Sequence, residues 1–336
     1  MAAGSTLSRC FTLRNGSQIP ALGIGTFATT YAEVSRTMNA AIEQGYRHFD
    51  TSSIMGVETV IGTKVSSSGI DRSDFFLSTK LWNSKHIHSE KRIVKALRAL
   101  HTSYIDLFYI QYPYTTWKSG VKIPDDVWNF YDTWKRMHKL VEAGQCKGLG
   151  IANFSLPQLK AFVEYCEKND LTVPAVHQCE IHPLCSQKAI VDYCKSKSIH
   201  VAGYNVLGSS MMKAALDPKI QQVMKKYERS APQIVVAWAL QQGISYLPKL
   251  TSANRIKEIA NIDFELENHD MELIDSISAE AGDKPDVRPY WLDSDEVIEG
   301  PAADDDVELI DRSAEFIFGH NKTSPLANVQ WQWNFY

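Results

Sequence analysis

Short apolar runs alternate with longer amphipathic stretches along most of this 336-residue chain. The runs are GIGTF (23–27), YRHFDT (46–51), FFLSTKL (75–81), DLFYIQYP (106–113), KGLGIAN (147–153), AVHQCEI (175–181), HVAGYNVL (200–207) and ISYLPKL (244–250). Their length and composition predict buried strands. The stretches between them carry helical periodicity. In residues 32–44, Val34, Met38, Ala41 and Ile42 share one face; in residues 126–144, Val127, Phe130, Trp134 and Leu140 do, and Gly144 closes the segment. Ahead of this rhythm, Asn15-Gly16 sits between apolar residues in FTLRNGSQIPAL (11–22), which predicts a β-hairpin.

Eight strands in strand–helix alternation call for a parallel sheet. Eight such units within residues 23–250 fit a closed (β/α)8 barrel better than an open, doubly wound sheet. No GxGxxG follows an early strand, so the usual dinucleotide-binding version of the open sheet is not indicated. The expectation is a single α/β domain over residues 1–336. It has a barrel core at about 11–290, an N-terminal hairpin, and a C-terminal tail over 291–336 that could act as a lid.

Composition narrows the partners. A net charge of −4 gives no electrostatic pull toward nucleic acid or an anionic membrane. No apolar run reaches the length of a bilayer span. The opening residues MAAGSTLSRC lack the apolar core of an export signal, so a cytoplasmic location is expected; the expected partner is a small molecule, and the oligomeric state is left open with a monomer favoured. Six scattered cysteines without a CxxC pair read as reduced, mostly buried thiols. His177, Cys179, His182 and Cys185 have the chemistry of metal ligands but not the spacing, and no metal is expected; His86 and His88 read as surface residues. In the tail, residues 293–308 hold eight acids and no base, and VQWQWNFY ends the chain with an aromatic cluster suited to folding over the barrel or docking on a partner.

Catalytic groups of such barrels stand at the C-terminal ends of the strands. There the chain places Asp50, Lys80, Gln111 and Asn153, with Gln178 inside the sixth strand, Tyr204 late in the seventh and Lys249 after the eighth. Asp50 and Lys80 end adjacent strands and can pair. A buried ion pair is a poor device for stability alone, so a functional role is favoured.

With these residues in place the chain resembles the aldo-keto reductase family across roughly residues 11–290. The resemblance rests on GYRHFDTSS (45–53), LSTKLW (77–82), GLGIANFS (148–155), PAVHQCEIHP (174–183), GYNVLGS (203–209) and LPKLTSANRIKE (247–258), all in order. It implies a (β/α)8 barrel that moves hydride between NADP(H) and a carbonyl. It also implies four catalytic positions, an aspartate, tyrosine, lysine and histidine. The aspartate is Asp50 and the lysine Lys80, but the tyrosine position holds Met55 and the histidine position Gln111. A thioether has no proton to give, and an amide donates a hydrogen bond without transferring its proton near neutral pH. Ordinary ketone reduction is therefore expected to be weak. A conjugated enone, whose enolate Lys80 and Gln111 could hold, or an iminium ion, which takes hydride directly, escapes the defect.

On the cofactor side the resemblance implies that Tyr204 stacks on the nicotinamide, Asn153 and Gln178 hold its carboxamide, Lys249 and Arg255 grip the 2′-phosphate, and Glu258 touches the adenine. Ala152, Leu250 and Ile259 stand where polar contacts are common, which weakens the implied grip. Thr26, Phe27, Ile54, Trp82 and Tyr112 match positions lining the substrate side, and this aromatic lining favours a bulky apolar substrate over a sugar. Two other functions remain open: a redox-neutral isomerase or cyclase on the same barrel, and a catalytically inactive homologue that binds cofactor or a protein partner.

Overall fold

A computed structural model of the chain describes residues 6–26, 30–117, 122–124, 127–205 and 215–281. The predicted Phe27 contact and the C-terminal tail lie outside these residues.

The hairpin forms first in the chain. β1 (Cys10–Thr12) pairs antiparallel with β2 (Gln18–Pro20) across a turn whose Gly16 takes φ +82°. Eight strands then form one parallel sheet in sequence order: β3 (Ile24–Gly25), β4 (His48–Asp50), β5 (Phe76–Leu81), β6 (Leu107–Ile110), β7 (Leu149–Ala152), β8 (Val176–Glu180), β9 (His200–Tyr204) and β10 (Ser245–Leu247). The ends meet. Leu22 bridges Tyr246 in parallel, Gly23 N–H donates to Tyr246 O, and Gly25 N–H donates to Pro248 O. These bonds close the sheet into a barrel.

Each predicted strand is present, shorter than its apolar run by up to three residues at one or both ends. The helices α1 (Tyr31–Gln44), α2 (Glu58–Ser66), α3 (Ser89–Ala99), α4 (Phe130–Glu142), α5 (Leu156–Lys168), α6 (Lys188–Ser196), α7 (Pro218–Tyr227), α8 (Ala231–Gln241), α9 (Ala253–Ala260) and α10 (Asn268–Ala281) surround it. Local chemistry sets their starts. Thr30 and Glu33 form a capping box at α1, Ser155 and Gln158 at α5, and Ser230 and Gln233 at α8, and Gly45 ends α1 at φ +101°. α4 begins later than its periodicity predicts because the Asn129 side chain caps it by accepting from Asp132 N–H. Val127 is consequently exposed rather than on the buried face.

Strand alternation divides the apolar residues into two cores. Outward residues such as Phe49, Leu77, Leu81, Phe108 and Ile151 pack under the helices. Inward residues Phe76, Leu107, Tyr109, Val176, Ala202 and Leu247 fill the barrel axis, joined by Leu13 and Ile19 from the hairpin segment. The hairpin thus plugs the N-terminal end, tied there by Asn15 Nδ2 donating to Lys147 O and by Phe11 against His200. The opposite end is left to polar residues.

His86, expected at the surface, is fully buried with Nδ1 against the Thr115 hydroxyl; only His88 is exposed. The turn at 83–88 packs inward after β5, which periodicity over so short a stretch does not reveal. The cysteines are all free; Cys146, Cys166, Cys179 and Cys194 are buried, Cys185 is half-buried and Cys10 exposed. Gly150 of GLGIAN lies in the barrel wall. A Cβ on Gly150 would lie 2.4 Å from the Tyr109 ring. Gly150→Ala should therefore destabilise the fold by about 1–3 kcal/mol through overpacking, read as a lower urea midpoint. Adding Tyr109→Leu should recover much of the loss.

Candidate active site

The polar mouth is built at the C-terminal ends of β4 to β9. In β4 the inward residues are His48 and Asp50; in β5 they are Ser78 and Lys80. Asp50 Oδ1 accepts from the Ser78 hydroxyl at 2.6 Å, and Oδ2 accepts from Lys80 Nζ. Lys80 also donates to Thr51 O at 2.9 Å and lies over the Tyr109 ring, 5.5 Å from its centroid. Asp50 and Lys80 are only 6% and 7% exposed. Two buried charges are thus mutually satisfied, which limits their desolvation cost.

Gln111 follows β6 and is buried. The Ser52 hydroxyl donates to its Oε1, and its main-chain O accepts from Asn153 Nδ2 at 2.9 Å. Asn153 ends β7 in the left-handed region, φ +63°, a conformation asparagine tolerates better than most residues. That turn brings its side chain across the mouth, where Oδ1 accepts from the Tyr204 hydroxyl at 2.6 Å. Serine, glutamine, asparagine and tyrosine from four strand ends therefore form one hydrogen-bonded chain. Gln178 in β8 lies beside the Tyr109 hydroxyl, yet its amide nitrogen is buried without a hydrogen-bond partner among the described residues. An orphaned amide beside Asn153 and Tyr204 fits a ligand that brings a carboxamide of its own.

Met55 is placed differently. It ends the short turn Ser53–Met55, which Gly56 closes at φ +68°, and its side chain is buried in the apolar core around the barrel. Ile54 is half-buried against the same core. Trp82 and Tyr112 meet edge to face with centroids 5.8 Å apart, and Tyr112 lies 5.7 Å from Tyr114. Burial pushes the Tyr112 phenol well above its usual pKa, with Tyr114 and Glu180 adding to the shift, so Tyr112 is a poor proton donor near neutral pH. Thr26 is buried and its hydroxyl donates to Asp50 O.

After β10 the predicted phosphate cations separate in their surroundings. Lys249 is exposed near α1, its ammonium held below its usual pKa by partial desolvation and partly restored by Glu33. Arg255 in α9 donates to Glu258 Oε2 at 2.7 Å, and Glu258 also accepts from the Ser230 hydroxyl. Leu250 and Ile259 are buried in the outer core and Ala152 in the barrel wall, so none offers a polar contact. Thr251 and Ser252 are exposed at the start of α9, and the Ser252 side chain makes no capping bond.

Three contributors to the mouth went unread in the sequence, Ser52, Glu180 and Asn205, while His182 stood out there only as a metal-ligand type. Glu180 could have been found, because two-residue alternation from Gln178 turns it inward. Ser52 and Asn205 carry no such signal. Their roles come from chain turns, Asn205 at φ +58° among them. Among the described residues no group of His, Cys, Asp and Glu is arranged to hold a metal ion, and no helix is long and apolar enough to cross a membrane.

Comparison with known proteins agrees with this architecture. The sequence model of the aldo/keto reductase family matches residues 21–279. The glycerol 2-dehydrogenase (NADP(+)) of Saccharomyces cerevisiae is 34% identical over 300 residues, which cover 84% of this chain and 95% of that protein. An aldo/keto reductase structure from Brucella melitensis superposes with a TM-score of 0.72 at 30% identity, covering 82% of this chain and 99% of that one. Another aldo-keto reductase, solved in complex with NADPH, gives a TM-score of 0.72 at 28% identity, covering 80% and 87%. The chain belongs to the aldo/keto reductase family, whose cofactor is NADP(H).

The polar layer also has a pH signature. His48, buried one position below the inward Asp50, is pushed down to about 4 by burial, with Asp50 partly offsetting. His177 is pushed to about 4 and His86 to about 3 by the same desolvation. The unfolded chain, with imidazoles near 6.5, takes up protons that the folded chain refuses. Stability should therefore fall as pH drops below about 6.5, by about 1.4 kcal/mol per pH unit for each imidazole until its folded pKa is reached. Urea midpoints between pH 7 and pH 5 should decrease, and His86→Gln should remove about one proton from that slope. A slope unchanged in the variant would contradict the assignment.

Proposed function

We propose that this chain is an NADP(H)-dependent oxidoreductase, a single barrel domain acting as a monomer, with acid–base residues unlike those the family usually carries. It would reduce a bulky organic carbonyl, enone or iminium substrate. The observation that carries the reading is the convergence of Asn153, Gln178 and Tyr204 beside the Asp50–Lys80 pair at one end of the barrel. The family to which the chain belongs and the NADPH complex of a structural neighbour support the cofactor.

In this reading Gln178 and Asn153 hold a nicotinamide carboxamide, and the Tyr204 ring sets the face of the ring that meets the substrate. Lys249 and Arg255, with the N–H groups at the start of α9, hold a 2′-phosphate; a helix N-terminus and two cations suit that anion. Arg255 would trade part of its Glu258 contact for the phosphate. When bound, the cofactor supplies hydride. The chain supplies hydrogen bonds rather than a mobile proton. Gln111 can donate from its amide, and Lys80, fixed by Asp50 and Thr51, can polarise an acceptor. Met55, packed in the apolar core, can do neither. Acceptors that need no proton in the hydride step suit such a site.

Calorimetric titration tests the cofactor reading. NADPH should bind selectively over NADH, and Arg255→Ala should weaken NADPH about 10- to 100-fold while leaving NADH nearly unchanged, the loss expected for one charge-assisted contact. Failure to bind either nucleotide would overturn the reading and return attention to redox-neutral chemistry or a protein partner. A second test asks whether the proton donor is the missing part. Met55→Tyr should raise simple-ketone turnover by about 100- to 10,000-fold, the usual worth of a general acid. No gain in a folded, NADPH-binding variant would mean that the mouth differs in more than this residue.

A further inference from the structure

Gln111 is held from three sides, and one of them decides which end of its amide is left for a ligand. Its main-chain N–H donates to Leu81 O at 3.2 Å and its main-chain O accepts from Asn153 Nδ2 at 2.9 Å, so the backbone is tied to the ends of β5 and β7. Its side chain has one hydrogen bond among the described residues: Oε1 accepts from Ser52 Oγ at 2.5 Å. That separation lies within the range of O–H···O bonds and is short for N–H···O. The reverse arrangement, with the amide nitrogen against Ser52, would also leave the Ser52 hydroxyl proton without an acceptor in a residue only 4% exposed. Nε2, on the other arm of the amide, makes no hydrogen bond among the described residues.

The same short segment sets the neighbouring donor. The Asp50 carboxylate and Thr51 O accept from Lys80 Nζ, the latter at 2.9 Å, and Ser52 is the next residue. An ammonium has three N–H groups, so these two acceptors leave one. What remains on both Lys80 and Gln111 is hydrogen rather than a lone pair. The segment itself is anchored. Thr51 N–H donates to Ser78 O and Met55 N–H to Ser52 O, both at 2.9 Å, so Ser52 has little freedom to turn away. A donor fixed in this way loses little freedom when a ligand meets it.

We propose that Ser52 is a positioning residue: its hydroxyl fixes the Gln111 amide with the nitrogen left for the substrate, which selects a substrate that presents an oxygen, a carbonyl or a conjugated enone, over an iminium ion. The substrate assignment rests on the oxidoreductase reading; the orientation of the amide does not. Hydride addition to a carbonyl or enone forms a C–H bond and moves a π pair onto oxygen. Two electrons pass from the nicotinamide to the acceptor, and solvent water supplies the proton afterwards. The oxygen that gains charge can accept from Gln111 and Lys80. An iminium carbon takes hydride to give a neutral amine, with no oxygen for these hydrogens to meet, so it gains nothing from either group.

The test uses the full chain and N,N-dimethylcinnamamide, a neutral amide whose carbonyl oxygen accepts hydrogen bonds and which resists hydride reduction. The cinnamyltrimethylammonium ion, which offers no acceptor, is its control. Both are titrated by calorimetry with and without NADPH. The amide should bind saturably. Ser52→Ala should weaken it about 3- to 10-fold, the worth of one hydrogen bond, with NADPH affinity and any affinity for the cation unchanged. In a Gln111→Ala background the same Ser52→Ala change should cost less than about twofold, because Ser52 acts through the amide. Ser52→Cys, a weaker donor of similar shape, serves the same cycle if the alanine variant does not fold. An equal loss with and without Gln111 would overturn the proposal, as would amide affinity that neither folded Ser52 variant alters. No amide binding by a chain that binds NADPH would overturn it and leave the cofactor reading standing. Amide binding coupled through Ser52 and Gln111 in a chain that binds no NADPH would uphold the positioning role and remove the hydride chemistry.

Discussion

Closure of the sheet between β3 and β10 is the constraint on which the rest of this structure depends. The bridge from Leu22 to Tyr246 and the bonds from Gly23 and Gly25 convert eight parallel strands into a ring without edges. The approach is close. A Cβ on Gly25 would meet Leu247 O at 3.0 Å, and one on Gly23 would meet His48 and Leu247 side chains at 2.8 Å. Once the ring is closed, inward residues can no longer choose between solvent and core. They must fill the axis or line the mouth.

That division explains why one barrel carries both an apolar plug and a polar site. The hairpin segment brings Leu13 and Ile19 to the N-terminal end, and Phe76, Leu107, Tyr109, Val176 and Leu247 fill the middle. Polar residues take the last inward position of their strands, where one side is open to a ligand and the other rests on packed rings. Lys80 over Tyr109 is the junction of the two layers. A charge held on a rigid floor loses little freedom when it meets a ligand, which is the physical value of building a site on strand ends rather than on loops alone.

Around the Asp50–Lys80 pair, Met55 packs in the apolar core and Gln111 is an amide held by Ser52. The mouth thus offers hydrogen bonds, apolar surface and the Glu180 carboxylate.

Much of this was legible in the chain itself. Two-residue alternation and helical periodicity located the strands and helices, because burial of one face imposes those periods whatever the final packing. Strand ends located Asp50, Lys80, Gln111, Asn153, Gln178 and Tyr204, because a closed parallel barrel exposes only its ends to a ligand. Tertiary structure decided the rest. His86 turned inward, Arg255 paired with Glu258, and Val127 fell outside its helix once Asn129 capped it. Ser52 reached Gln111 across 59 residues, and Asn205 reached Glu180 from a left-handed turn. Periodicity reports which side of an element is buried. It carries no information about which polar atoms from distant turns will meet there, because those meetings depend on closure of the barrel and on turn conformations that no local pattern encodes.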